Sequence, residues 1–288
     1  MRLGLALGGG AARGWAHFGV LDVLAEEGLY PDVICGTSIG AVAGSAYASG
    51  QLEELRAWAL QMGRWEVVRL LDWTGGGISG ERLMQALQQR VPEQPIEQLQ
   101  RPFGCVATDL ASGREIWLTQ GSLSNAIRAS IALPGLFTPL EYQGRWLVDG
   151  GLVDPVPVTL CRALGAERVI AVSLNHAVLE RLTQRRERRE QRRENLRQYL
   201  RQGLRLPIDS GNDTPHLFDT LAGAIYLMQD RITRSRLAGD PPDMLLAPRL
   251  GHIGLMDFHR ASEAIEAGRE CADALRPQLK TLARELQS

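Results

Sequence analysis

Lysine is almost absent: Lys280 is the only one in 288 residues. A phosphate-cradling loop of the G-x-x-x-x-G-K-S/T kind needs a lysine followed by serine or threonine, so that class of nucleotide chemistry is excluded. Cysteine is scarce as well. Cys35, Cys105, Cys161 and Cys271 form no C-x-x-C pair and match no zinc spacing, which leaves reduced, buried thiols as the expectation. No apolar run approaches the roughly 18 residues of a membrane span. The most apolar late stretch, LFDTLAGAIYLM (217–228), is short and contains Asp219. The N-terminal MRLGLALGGGAARG is broken by glycines and Arg13, and reads better as a strand entering a glycine turn than as a secretory leader. A net charge of −1 offers no global attraction to nucleic acid. No internal repeat, metal cluster or cofactor motif is legible. The expectation is a cytoplasmic protein with no metal, no cofactor and no nucleic-acid partner.

What is present is an alternation of strand and helix. LGLALG (3–8) reads as a buried strand, 14–27 as a helix ended by Gly28, DVICG (32–36) as a second strand, and 39–50 as a small-residue helix. Helices are expected at 51–62 and 80–90, with a flexible TGGGISG (74–80) between them that could hinge a lid. Strands follow at 103–110 and 114–119, a helix at 122–131, and an irregular loop at 133–140. Further strands are expected at 145–151, 168–174 and 243–248, before one long helix over 257–285. Alternation of this kind predicts an α/β fold with helices on both faces of a mostly parallel sheet.

Three glycine-rich turns carry the chemistry. GTSIG (36–40) is a G-x-S-x-G pattern between a strand and a small-residue helix, the context of a nucleophile elbow that would project the Ser38 hydroxyl from the sheet end. Alone it fits a plain strand–helix turn equally. GGGAARG (8–14) ends the first strand and opens a helix, so backbone N–H groups of Gly9, Gly10 and Ala11 are candidates for an oxyanion hole, with the Ile39 N–H beside them. Dinucleotide binding is the rival for that loop, but Arg13 stands where the last glycine of G-x-G-x-x-G belongs. A base is also needed. The five histidines (His17, His176, His216, His252, His259) sit in no motif, whereas Asp149 ends a strand and precedes Gly150 and Gly151. An isolated Asp-Gly-Gly is also simply a turn.

Taken together and in this order, GGGAARG, GTSIG and the Asp-Gly-Gly turn resemble the patatin-like phospholipase family, in the bacterial branch akin to neuropathy target esterase. ASIALPGLFTPLEYQGRWLVDGG (129–151) resembles the block leading to that family's aspartate, and DMLLAPRLGHIGLMDF (243–258) is similar to the bacterial branch. The resemblance covers residues 3 to about 175 and implies a three-layer α/β/α fold with a histidine-free Ser–Asp dyad. It implies that Ser38 attacks an acyl ester carbonyl of a lipid, that Asp149 takes the proton and later activates water, and that Gly9, Gly10 and Ala11 stabilise the oxyanion. Gly8, Arg13, Gly14, Gly36, Gly40, Gly150 and Gly151 support the turns, Arg13 either orienting its loop or facing a phosphate. Ala11 departs from a glycine common in the branch, and Asp154 replaces a frequent asparagine. The rival is a catalytically silent module that binds lipid or a protein partner.

Residues 3–175 are thus expected to form the core, 176–210 a charged helical arm, and 211–288 the helices and strand that complete the same domain. Within the arm, residues 180–205 hold ten arginines and four glutamates, with nothing apolar between Leu182 and Leu196. Such a stretch predicts a protruding segment, with peripheral contact to an anionic membrane through residues 181–205.

Overall fold

A computed structural model describes residues 1–70, 73–74, 77–175 and 217–287; the expected arm and its membrane contact lie outside the described residues. The core is an eight-stranded sheet in the order β10-β9-β1-β2-β5-β8-β7, with β6 also pairing β5. Its strands are β1 (Leu3–Leu7), β2 (Val33–Thr37), β5 (Phe103–Asp109), β6 (Glu115–Leu118), β7 (Leu140–Tyr142), β8 (Arg145–Asp149), β9 (Arg168–Val172) and β10 (Met244–Leu246). The run from β10 to β5 is parallel; β6, β7 and β8 add antiparallel pairs at one end. The sheet is therefore mostly parallel, as expected.

Side chains alternate across a strand, and the two faces bury separate cores. Leu3, Leu5, Leu7, Ile34, Phe103, Cys105, Ala107, Ile170 and Val172 pack into one cluster, with α1 (Ala16–Glu26) and α2 (Ile39–Ala48). Ala6, Val33, Cys35, Val106, Val169 and Ala171 face the other, with α7 (Val158–Ala163). Two cores on one sheet make three layers. The first face also carries α3 (Leu52–Gln61), α4 (Arg64–Leu70), α5 (Glu81–Gln88) and α6 (Leu123–Ser130). After α8 (Leu217–Gly239), the C-terminal part returns β10 to the sheet and packs α9 (Ala261–Asp273) on α1, before α10 (Arg276–Gln287). Among the described residues no helix is long and apolar enough to cross a membrane.

The register of β5 sets up the site. Residues 105 and 106 pair with both β2 and β6, and residues 107 and 108 with both β6 and β8. The strands β2 and β8 consequently occupy the same edge of β5 and run toward each other. Thr37, the last residue of β2, lies opposite Val106; Asp149, the last of β8, lies opposite Ala107.

Several local expectations are corrected. The helix expected over 257–285 is two helices after a short turn of 3-10 helix, because Pro277 has no N–H and fits only a first turn. The stretch 74–80 is not a free hinge at its C-terminal end: the pairs Trp73–Thr74 (β3) and Gly77–Ile78 (β4) form a small antiparallel ladder, and Ile78 is fully buried. The Ile78 N–H donates to the Leu136 carbonyl at 3.0 Å, and Thr138 N–H donates to the Ile78 carbonyl at 3.0 Å. α4, α7 and β7 have no counterpart in the sequence reading.

Candidate active site

The elbow is built by close approach. A Cβ on Gly36 would overlap the Gly40 carbonyl, and one on Gly40 would overlap the Leu7 carbonyl, so α2 can start against β1 and β2 only with glycine at both positions. Gly14 is needed where α1's entry meets Ile39. Between them Ser38 takes φ 55° and ψ −124°, a left-handed conformation that costs a non-glycine residue about 1–3 kcal/mol. The strained backbone is held by Ser130: the Ser38 N–H donates to Ser130 Oγ at 2.9 Å, and that hydroxyl donates to the Val106 carbonyl at 2.7 Å.

Asp149 arrives from the opposite direction at the end of β8. Its backbone is clamped by its own N–H donating to the Ala132 carbonyl at 3.0 Å and by Thr108 Oγ1 donating to its carbonyl at 2.8 Å. A side chain at Gly150 would strike the Val106 carbonyl, which keeps the turn tight against β5. Ser38 Oγ donates to Asp149 Oδ2 at 2.7 Å, and the Gly151 N–H donates to Oδ1 at 2.7 Å. With 1% of its surface exposed, Asp149 loses solvation of its charged form, and its pKa rises to about 6 despite both hydrogen bonds. It remains mostly ionised at neutral pH.

The loop 8–14 divides its donors. Gly8 N–H donates to the Val172 carbonyl and Gly9 N–H to the Pro155 carbonyl at 3.0 Å; Ala12 and Arg13 N–H also have carbonyl acceptors. Gly9 is thereby corrected: its N–H is committed, and its place in the loop is explained by contact with Ser38, whose Cβ a side chain there would approach at 3.3 Å. The N–H groups of Gly10 and Ala11 meet no protein acceptor among the described residues, nor does that of Ile39 at the start of α2. Ala11 adopts φ 50°, which accounts for the glycine preference noted at that position.

Arg13 is buried. Its Nε donates to the Ile253 carbonyl at 3.0 Å and its guanidinium lies 4.4 Å from the centre of the Tyr226 ring, so it ties the loop to α8 and the C-terminal segment. His17 is buried below the loop, with Nε2 2.9 Å from the Gly8 carbonyl; burial lowers its pKa to about 4, leaving it neutral. His17, His252 and His259 line neither cavity beside Ser38; His176 and His216 lie outside the described residues.

Two cavities meet at Ser38. The larger, about 90 Å3, is lined by Trp15, Ile39, Val42, Trp58, Met62, Val67, Leu70, Leu83, Leu87, Ile131, Leu136, Phe137 and their neighbours; Ser38 is its one hydroxyl. The smaller, about 20 Å3, is lined by Gly10, Ala11, Ser38, Asp149, Tyr226 and Gln229 among others. Sequence reasoning missed Ser130, Tyr226 and Gln229. Ser130 lies inside the quoted 129–151 block, but nothing in the ASIALPG stretch indicates that its hydroxyl buttresses a turn 92 positions away. Gln229 accepts from Asn175 Nδ2 at 3.1 Å and packs on Gly151.

Comparison with known proteins places the family and the fold. The patatin-like phospholipase family profile matches residues 5–162. An uncharacterized NTE family protein of Mycobacterium tuberculosis is 36% identical over 324 aligned positions, covering 94% of this chain and 90% of that protein. The lysophospholipase NTE1 of Mycosarcoma maydis is 36% identical over 189 positions, covering 60% of this chain but 10% of its own length. Among solved structures, VipD from Legionella pneumophila superposes with a TM-score of 0.55 at 14% identity, covering 96% of this chain and 66% of that one. That likeness supports the fold alone.

Proposed function

The chain belongs to the patatin-like phospholipase family, and from that premise we propose that it is a serine acyl hydrolase, cleaving carboxylic esters of lipids through Ser38 and Asp149. The observation that carries the reading is the 2.7 Å hydrogen bond from Ser38 Oγ to Asp149 Oδ2 where the larger, apolar cavity meets a smaller one of mixed lining.

In this reading the acyl chain lies in the larger cavity and places the ester carbonyl over Ser38. Asp149 accepts the hydroxyl proton as Oγ bonds to the carbonyl carbon. The resulting oxyanion takes hydrogen bonds from the N–H groups of Gly10, Ala11 and Ile39. Loss of one such donor costs about 3–4 kcal/mol of transition-state stabilisation. Collapse returns the proton from Asp149 to the departing alkoxide, leaving an acyl-Ser38 ester. Water entering by the smaller cavity then gives a proton to Asp149 and attacks, and the Ser38 alkoxide leaves and recovers that proton. The carboxylate can serve as base without a histidine because burial has already raised its pKa to about 6.

A fluorophosphonate probe tests this. Covalent labelling of the intact protein, lost in Ser38→Ala and strongly reduced in Asp149→Asn, is expected. Folded wild-type protein that neither labels nor hydrolyses any lipid ester would overturn it.

A further inference from the structure

One short helix, α4, contributes to the wall of the larger cavity, beside residues of α3 and α5. Its inward residues, Val67 and Leu70, are one turn apart and line the cavity. The opposite face is unusual. Trp65 is 82% exposed and Val68 56%, and they are neighbours at a spacing of three. Arg64 sits four positions before Val68 and Arg69 four after Trp65, so an arginine flanks the apolar pair on each side. Arg82 on α5 reaches the Arg69 carbonyl. Arg64 Nε donates to His259 Nε2 at 3.2 Å, and the one carboxylate of the helix, Glu66, is held by the Gly63 N–H at 3.0 Å. A tryptophan and a valine presented outward between two arginines match the interface of an anionic bilayer, where indole lies among headgroups and guanidinium meets phosphate.

We propose that the outer face of α4, Trp65 and Val68 between Arg64 and Arg69, docks this protein onto a phospholipid bilayer, so that the cavity on the inner face of the same helix opens toward the lipid. The benefit of that placement rests on the acyl-hydrolase reading; the docking itself does not. A second exposed aromatic patch, Trp117 and Trp146, does not qualify. Trp117 Nε1 donates to Glu115, Trp146 pairs across the ladder with Glu141, and Asp109 lies beside Arg145, so carboxylates surround it.

The test uses the full chain carrying Ser38→Ala, so that lipid is not consumed, and cosedimentation with phosphatidylcholine vesicles with and without phosphatidylglycerol. Adding Trp65→Ser and Val68→Ser should weaken partitioning roughly tenfold to a hundredfold. Arg64→Gln with Arg69→Gln should weaken binding to the anionic vesicles by about fivefold per arginine and flatten its salt dependence. Trp146→Ser should change neither. In protein with Ser38 intact, the Trp65/Val68 pair of changes should slow vesicle hydrolysis while leaving hydrolysis of a short water-soluble ester unaltered.

Vesicle binding indifferent to the α4 changes would overturn the docking surface while soluble-ester hydrolysis kept the enzymatic reading intact. So would a shift in oligomeric state caused by those changes, which would make the face a contact between copies. Trp65-dependent binding by a protein that hydrolyses nothing would support the docking surface and defeat the enzymatic reading instead.

Discussion

Replacing Asp149 by asparagine separates what this side chain does for the fold from what it does for chemistry. The carboxyl is buried and its pKa stands at about 6 against an ordinary 3.8, so the folded state holds a proton more tightly than the unfolded chain does. For an acid raised in this way, stability is greatest below the unfolded pKa and declines as pH climbs from about 4 through about 6. At 1.36 kcal/mol per pH unit, the full decline is about 3 kcal/mol. An amide cannot ionise and so escapes it. Asparagine also keeps the hydrogen bonds: its Oδ1 can accept the Gly151 N–H, and its Nδ2 can donate to Ser38 Oγ. Asp149→Asn is expected to be more stable than wild type at pH 7–8, by up to about 3 kcal/mol, and equal to it near pH 4. Activity should be reduced at least a thousandfold. In the wild type, kcat/KM for a soluble ester should fall tenfold per pH unit below about 6. Denaturant unfolding at several pH values, beside a pH–rate profile, checks both halves. A variant destabilised equally at every pH, together with a wild-type profile flat between pH 5 and 7, would refute the reasoning.

Three further outcomes are expected. Ser130→Ala leaves the Ser38 N–H without its acceptor in a strained turn, and should cost about 1–3 kcal/mol of stability and lower kcat more than it changes KM, as urea unfolding and ester kinetics would show. Ala11→Gly relieves φ 50° but adds chain entropy, so it should raise stability by about 1 kcal/mol or less with labelling by a fluorophosphonate retained; a loss of labelling would show that the Ala11 methyl matters. Val42→Phe fills part of the apolar cavity and should shift preference toward shorter acyl chains, read as the ratio of kcat/KM for long and short esters; an unchanged ratio would place the chain elsewhere.

The first half of the fold was readable because its signals are local. Buried strands, helix-ending glycine and the crowded GTSIG turn each announce themselves within a few residues. Ser38 and Asp149 stood out for the same reason, since each lies at the end of a strand before small residues. α7 is a six-residue helix and β7 a three-residue strand beside a Pro-broken loop, each too short to show a period of its own. Gly9 illustrates the other limit: whether its N–H is free depends on the Pro155 carbonyl, 146 positions away, and no local pattern encodes that. Tyr226 and Gln229 enter the smaller cavity only because α8 crosses beneath the Asp-Gly-Gly turn, and their own sequence, YLMQD, looks like any helix surface.

The head-on meeting of β2 and β8 makes β5 a jig. It donates neither reacting group, yet consecutive positions along it, Val106 and Ala107, set the gap between the two strand tips. The same strand receives the Ser130 hydroxyl and supplies the Thr108 hydroxyl. A one-residue slip of β2 or β8 along β5 would turn that strand's side chains to the wrong layer and change the distance between the tips. In the proposed mechanism, competence to form the acyl-enzyme thus gauges the seating of a strand that contributes neither Ser38 nor Asp149.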